Sequence, residues 1–296
     1  MQSNRTDITP PRRKSTPKKK RVSKTKSSIR QTKKEEIQST PVGQTDSYPL
    51  KVEEPVEQDY NSNRISINKG PQESFINAPE REVLYGGAAG GGKSFALLID
   101  PLRYCDYAEH SALILRRTND ELRELIHKST EIYPKFYPGA KWSERKSQWT
   151  FPSGARIWLT YLEQDKDVLR YQGQSFSYVG FDELTQYPTS FPWDYLRSRL
   201  RSINPNIQVS MRATTNPGGP GHSWVKKMFI DPATPNKSFW ARDLDTKEVL
   251  RYPKGHSREG DPLFQRRFIP ASLKDNPYLY NTGDYETMLL SLPEVQ

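Results

Sequence analysis

The chain has 296 residues, 33% of them hydrophobic and 27% charged, with 24 prolines and a formal net charge of +10. That length allows one large domain or two small ones, and the low apolar content excludes a core running through the whole chain. Of the 45 Lys and Arg and 35 Asp and Glu, residues 1–34 hold 13 and one; the rest, with 32 and 34, is nearly neutral, so the positive charge belongs to an N-terminal tail.

No stretch reaches the ~18–20 apolar residues of a membrane span, and no apolar segment follows the basic start as in a secretory signal. The pattern predicts a soluble, intracellular chain with no membrane partner. Cys105 is the single cysteine and excludes an internal disulfide, and four scattered histidines form no zinc motif.

In chain order, the run PRRKSTPKKKRVSKTKSSIR, ending at Arg30, has almost no apolar side chains to offset its ordering entropy and is expected to be disordered. Its charge suits nucleic-acid contact, a solubilising arm or a localisation signal. A Pro-rich linker follows, so residues 1–68 are assigned to tail and linker. Folded structure is expected from about Gln72, with a core over residues 69–235.

Glu82–Tyr85 is a short apolar run closed by glycines and predicts a buried parallel strand. Phe95, Leu97, Leu98 and Ile99 then fit a helix, and Ala112–Leu115 a second strand. Thr118-Asn-Asp-Glu121 has the form of a capping box, opening a helix with an apolar stripe at Leu122, Leu125 and Ile126. Trp149–Phe151 and Ala155–Leu159 flank Pro152-Ser-Gly154 as a β-hairpin. Ser177–Phe181 and Ile207–Met211 are further strands, with a helix expected over Trp193–Ser202 between them and an amphipathic segment over Trp224–Ile230. This alternation predicts an α/β fold, a mostly parallel sheet with helices on both faces and ligands at the carboxyl ends of its strands.

Directly after the first strand, Gly87, Ala88, Ala89, Gly90, Gly91, Gly92, Lys93 and Ser94 satisfy G-x-x-x-x-G-K-[ST]. Glycines let the backbone curl so that successive N–H groups face phosphate oxygens, and the following helix presents its positive end to the same anion. The expected ligands are ATP and Mg²⁺, with Lys93 on the β and γ phosphates and the Ser94 hydroxyl on the metal. A dinucleotide fingerprint does not fit, because the position three after Gly92 is Phe95.

The run Tyr178-Val-Gly-Phe181 ends in Asp182 and Glu183. Beside a phosphate loop, Asp182 is expected to hold Mg²⁺ through water and Glu183 to take a proton from the attacking water; the alternative is a solvated acidic pair. Thr214, Thr215 and Asn216 follow the next strand and precede Pro217-Gly-Gly-Pro-Gly221. They are expected to sense the γ-phosphate and transmit hydrolysis, the alternative being an ordinary turn.

Together LYGGAAGGGKS, ILRRT, YQGQSFSYVGFDELTQYP, RSRLRS and TTNPGGPGHSWVKKMFI resemble the ATPase half of tailed-phage terminase large subunits, over about residues 70–296. The resemblance implies a P-loop NTPase of the additional-strand type that moves double-stranded DNA into a procapsid. It further implies a homo-oligomeric ring docked on the portal protein, a small terminase subunit as partner, and a place in the host cell cytoplasm, transiently at the portal. It makes Gln72 an adenine-reading residue, where the residues alone allow a surface glutamine.

A ring motor needs an arginine against the charge of the transferred phosphoryl group. Arg116 and Arg117 at a strand end are the first choice, with Arg117 taken as catalytic; Arg197, Arg199 and Arg201 are the other candidates. The family's nuclease domain is not expected here: residues 236–296 are assigned to a lid and linker, and Asp243-Leu-Asp245 to a solvated surface. The other functional class that fits is a non-hydrolysing assembly or scaffold protein, switched by ATP and tethered to nucleic acid by its tail.

Overall fold

The computed structural model describes residues 67–87 and 90–281. The expected basic tail and all but the end of the linker lie outside the described residues, as do Ala88 and Ala89 of the phosphate loop.

Helix α1 (Pro71–Ile76) leads into β1 (Glu82–Gly87), which ends at the phosphate loop and α2 (Lys93–Ile99). Then come β2 (Ser111–Arg116), α3 (Asn119–Phe136), β3 (Lys141–Ser143), β4 (Gln148–Thr150), β5 (Arg156–Tyr161) and β6 (Tyr178–Phe181). The chain continues through α4 (Phe191–Arg197), β7 (Ser210–Thr215), α5 (His222–Val225) extended by a π turn (Lys226–Ile230), β8 (Ser238–Trp240), β9 (Gln265–Ala271) and α6 (Pro277–Tyr280). The strands form one sheet in the order β3-β4-β5-β2-β6-β7-β1-β9-β8, parallel from β5 to β9 and antiparallel at both edges. One strand, β7, stands between β1 with its phosphate loop and β6 with its acidic pair, which is the additional-strand arrangement.

Alternation along the strands builds two cores. Val83, Tyr85, Ala112, Ile114, Ile157 and Leu159 face α1, α2 and α3, meeting Phe75, Leu97, Leu98, Leu122, Leu125 and Tyr133. Leu84, Leu113, Leu115, Val179, Phe181, Met211 and Ala213 face the other way onto Trp193, Leu196, Val225, Met228 and Phe229. Helices therefore cover both faces, as expected.

The capping box forms: the Thr118 side chain accepts from Glu121 N–H and Glu121 accepts from Thr118 N–H. The hairpin forms too, with Trp149 opposite Ile157 and Gly154 at φ 99° in its turn. Three expectations need correction. The strand expected over Ile207–Met211 starts at Ser210 and runs to Thr215, because Arg212 is buried in it, ion-paired to Asp100 at 3.2 Å and donating to the carbonyls of Ala78 and Glu80 at 2.8 and 2.9 Å. The helix expected over Trp193–Ser202 ends at Arg197, because Arg199 and Arg201 exchange backbone hydrogen bonds with Phe176 at 3.0 and 2.9 Å. The segment 236–296, expected as lid and linker, places β9 in the sheet along the whole of β1, with buried Arg266 bonded to Glu82 at 2.7 Å.

Candidate active site

Parallel strands bring their carboxyl ends to one edge, and the register there decides the chemistry. Leu115, Phe181 and Ala213 lie side by side on β2, β6 and β7, so the next residues, Arg116, Asp182 and Thr214, stand in one row on the α2 face. Asp182 is buried and satisfied by that row: Oδ1 accepts from the hydroxyls of Thr214 and, at 3.1 Å, Ser94, while Oδ2 pairs with Arg116 Nη1 at 2.7 Å. The carboxylate and the phosphate-loop hydroxyl, 88 residues apart, are thus in direct contact.

The loop is shaped by its glycines. Gly92 is left-handed (φ 71°) and a Cβ there would lie 2.8 Å from the Gln72 amide; a Cβ on Gly87 (φ 138°) would lie 2.0 Å from the Ala271 carbonyl oxygen. Lys93, the first residue of α2, is buried with Nζ 3.5 Å from the Gly87 carbonyl. Burial pulls the Lys93 pKa down, and the Glu183 and Asp182 carboxylates act against that pull.

Glu183 has a left-handed backbone (φ 55°, ψ 59°), and its N–H donates to Thr214 Oγ1 at 3.2 Å. Its carboxylate accepts from Asn216 N–H at 3.0 Å and from Asn216 Nδ2 at 2.8 Å. Burial and the neighbouring Asp182 carboxylate hold its pKa above the usual range, a direction that favours proton uptake. Thr215 points elsewhere, donating to Thr185 Oγ1 at 2.9 Å.

The candidate arginines separate. Arg116 reaches Asp182; Arg117, one residue on, turns to the other face, pairs with Asp165 at 2.9 Å and covers the Tyr187 ring. Arg197 lies at the opposite end of β1, paired with Glu82 and Asp194, and Arg199 stacks on Tyr195. Arg201 is exposed.

Gln72 is not a surface residue. It is 2% exposed, accepts from Asn68 N–H at 2.7 Å and donates to the Gly92 carbonyl at 3.1 Å, which leaves each end of its amide one further bonding position. Two contacts to the loop have no sequence signal: Tyr85 donates to the Gly91 carbonyl at 3.0 Å and Asn276 to the Gly90 carbonyl at 2.6 Å. Asp243 forms a turn, accepting from the N–H groups of Asp245 and Thr246 at 2.9 and 2.8 Å. Among the described residues no group of three or more His, Cys, Asp or Glu is placed to hold a metal ion, and no helix is long and apolar enough to cross a membrane.

No curated protein matches the chain. Among solved structures it is similar to the large terminase of a thermophilic bacteriophage, with a TM-score of 0.53 and 16% identity over 77% of this chain and 51% of that one. The same terminase in complex with ADP gives a TM-score of 0.51 at 14% identity, again over 77% and 51%. The fold is therefore shared, and the chain spans about half the length of these relatives. The family model for the terminase large subunit, T4likevirus-type, N-terminal part, matches residues 84–276, from within β1 to the Asn276 that touches the phosphate loop, and the chain belongs to that family.

Proposed function

We propose that this chain hydrolyses ATP to drive double-stranded DNA into a viral procapsid. The observation that carries the reading is the assembly at one sheet edge of Lys93, Ser94, Asp182 and Glu183, with Ser94 and Asp182 in contact. The thermophilic phage's terminase bound to ADP supports nucleotide as the ligand.

The donors beside the loop suit Mg²⁺: hydroxyl and carboxylate oxygens, hard ligands with no sulfur or imidazole among them. Ser94 and Asp182 would hold the ion, which supplies charge neutralisation at the β and γ phosphates. Lys93 adds a cation drawn out of water by burial, so its attraction for phosphate is less screened. Glu183 is the proton acceptor for the attacking water, oriented by Asn216. Thr214 links the two carboxylates, bonding the Asp182 side chain and the Glu183 N–H, and with Thr215 and Asn216 forms the coupling segment. Gln72 reads adenine with the bonding positions its amide retains. Arg116 rather than Arg117 is the arginine that acts within this chain's own site, since Arg116 stands beside Asp182 on the phosphate-loop face while Arg117 turns to the other face onto Asp165.

The working state is a homo-oligomeric ring at the portal of a procapsid in the host cell cytoplasm, with the portal protein, the small terminase subunit and DNA as partners. Steady-state ATPase with and without double-stranded DNA, on the wild type and Glu183→Gln, tests the reading. The expected result is DNA-responsive turnover that falls by about 10²–10⁴ in the variant while ATP binding persists. Absence of turnover in the wild type, or near-normal turnover in Glu183→Gln, refutes it.

A further inference from the structure

Three successive carbonyls of the phosphate loop are held by side chains from three separate elements. Asn276 Nδ2 donates to Gly90, Tyr85 OH to Gly91 and Gln72 Nε2 to Gly92. In a planar trans peptide the C=O of one residue and the N–H of the next point in opposite directions. Fixing the carbonyls of Gly90, Gly91 and Gly92 therefore fixes the N–H groups of Gly91, Gly92 and Lys93 toward the side these donors leave open. Successive N–H groups aimed one way make an anion-binding concavity. The Gly92 carbonyl is also held by the Ala96 N–H of α2 at 3.1 Å, but without its donor the Gly90 peptide, at φ 82°, would be free to rotate, and binding would have to order it.

Tyr85 and Gln72 belong to the strand and helix that precede the loop, so their proximity follows from chain connectivity. Asn276 does not: it arrives from 186 residues downstream. Its place is fixed by a turn in which Asp275 Oδ2 accepts from Ser272 N–H and Ser272 Oγ, both at 2.7 Å, and Asn276 N–H donates to the Leu273 carbonyl at 3.0 Å. The same turn begins at Ala271, whose carbonyl leaves no room for a side chain on Gly87. The chain leaving β9 therefore lies on the loop at both Gly87 and Gly90, and Asn276 is nearly buried at 9% exposure. A polar side chain buried at such a place must find a partner, and here it finds the loop.

We propose that Asn276 is a positioning residue for the phosphate loop: it orients the Gly90–Gly91 peptide for polyphosphate before nucleotide arrives, and so couples nucleotide binding to the segment that follows β9. This rests on the ATPase reading above. By linkage, nucleotide in the loop strengthens the hold on the turn as much as the turn strengthens the hold on nucleotide.

The test uses the full chain with ADP as probe and compares the wild type, Asn276→Asp, Asn276→Ala and Lys93→Ala. Asn276→Asp keeps the shape but places an acceptor against the Gly90 carbonyl. Each Asn276 variant is expected to bind ADP about three- to tenfold more weakly, the range of one net hydrogen bond, and to raise the ATP KM in parallel while kcat falls less than about twofold. The melting temperature without nucleotide should fall by no more than about 5 °C, the loss of one net hydrogen bond, and the ADP-induced rise should shrink. A residue that served folding alone would lower the nucleotide-free melting temperature and leave the ADP affinity of the folded protein intact; that result overturns the proposal, as does wild-type affinity in both variants. If the wild type binds no ADP, or Lys93→Ala binds it equally well, the ATPase reading fails and the proposal falls with it.

Discussion

Glu82→Gln is expected to destabilise the fold strongly at neutral pH and progressively less as pH falls. Glu82 opens β1 with no exposure, its carboxylate bonded to Arg197, to Arg266 at 2.7 Å and to the Trp193 indole at 3.3 Å. Burial pushes its pKa up, but Arg197 and Arg266 outweigh that and bring it from 4.5 to about 2. The folded pKa is depressed, so this group's stabilisation is complete above the unfolded value and is lost as pH drops through 4.5 toward 2. The gap corresponds to about 3 kcal/mol, of which roughly 1.4 kcal/mol is gone by about pH 3.5. Gln keeps the shape but leaves the buried Arg266 guanidinium without its counter-charge and Arg197 with Asp194 alone, a change that costs about 3–5 kcal/mol. Urea unfolding of both proteins between about pH 7 and about pH 3.5 reads the difference directly, and taking wild type minus variant removes what other carboxylates contribute. A variant within about 0.5 kcal/mol of wild type at neutral pH, or a difference that stays constant down to about pH 3.5, refutes the reasoning.

Lys93→Ala is expected to abolish ATP turnover, since it removes the buried cation at the loop; persistent turnover in a steady-state assay sinks the phosphate-loop assignment. Asn216→Ala should bind ATP but hydrolyse it more slowly, because the Nδ2 bond that orients Glu183 is lost, and should move DNA poorly, measured by packaging into procapsids; turnover and packaging at wild-type efficiency would reduce the segment to a turn. Arg116→Ala is expected to lower kcat while Arg117→Ala mainly lowers the melting temperature, because only Arg116 reaches Asp182. A larger loss of kcat in Arg117→Ala would reverse that assignment.

The strands legible in the sequence are those whose burial needs no partner. Val83 to Tyr85, Ala112 to Leu115 and Tyr178 to Phe181 are continuous apolar runs, and a parallel strand covered on both faces requires nothing else. β7 and β9 escaped in part or whole because they bury Arg212 and Arg266, which read as surface residues until Asp100 and Glu82 come to meet them from other elements. Neither carboxylate is near in sequence, so no local pattern could announce the pairs. The same limit applies to the site. Spacing identifies Lys93 and Ser94 because the loop is contiguous, whereas choosing between Arg116 and Arg117 depends on which face of β2 looks toward α2. Tyr85 reads as core, and only its hydroxyl contact with Gly91 shows a second use.

The backbone of Glu183 explains why the two carboxylates of the acidic pair meet different partners. Had the extended conformation of β6 continued, alternation would send Glu183 to the face that holds Arg117 and Tyr187, away from the phosphate loop. At φ 55° and ψ 59° the chain turns instead, and the carboxylate meets Asn216 beyond the end of β7. A left-handed conformation costs a residue with a Cβ roughly 1–2 kcal/mol. Here Thr214 receives the Glu183 N–H, and Asn216 gives the carboxylate two hydrogen bonds, contacts of about the size needed to offset that cost. Asp182, still in the extended row, stays pinned among Ser94, Thr214 and Arg116. One carboxylate is thereby committed to fixed partners at the loop, while burial and that same carboxylate hold the pKa of its neighbour above the usual range. Because Thr214 and Asn216 both stand at the end of β7, a shift of that strand changes the setting of the Glu183 and Asp182 carboxylates together.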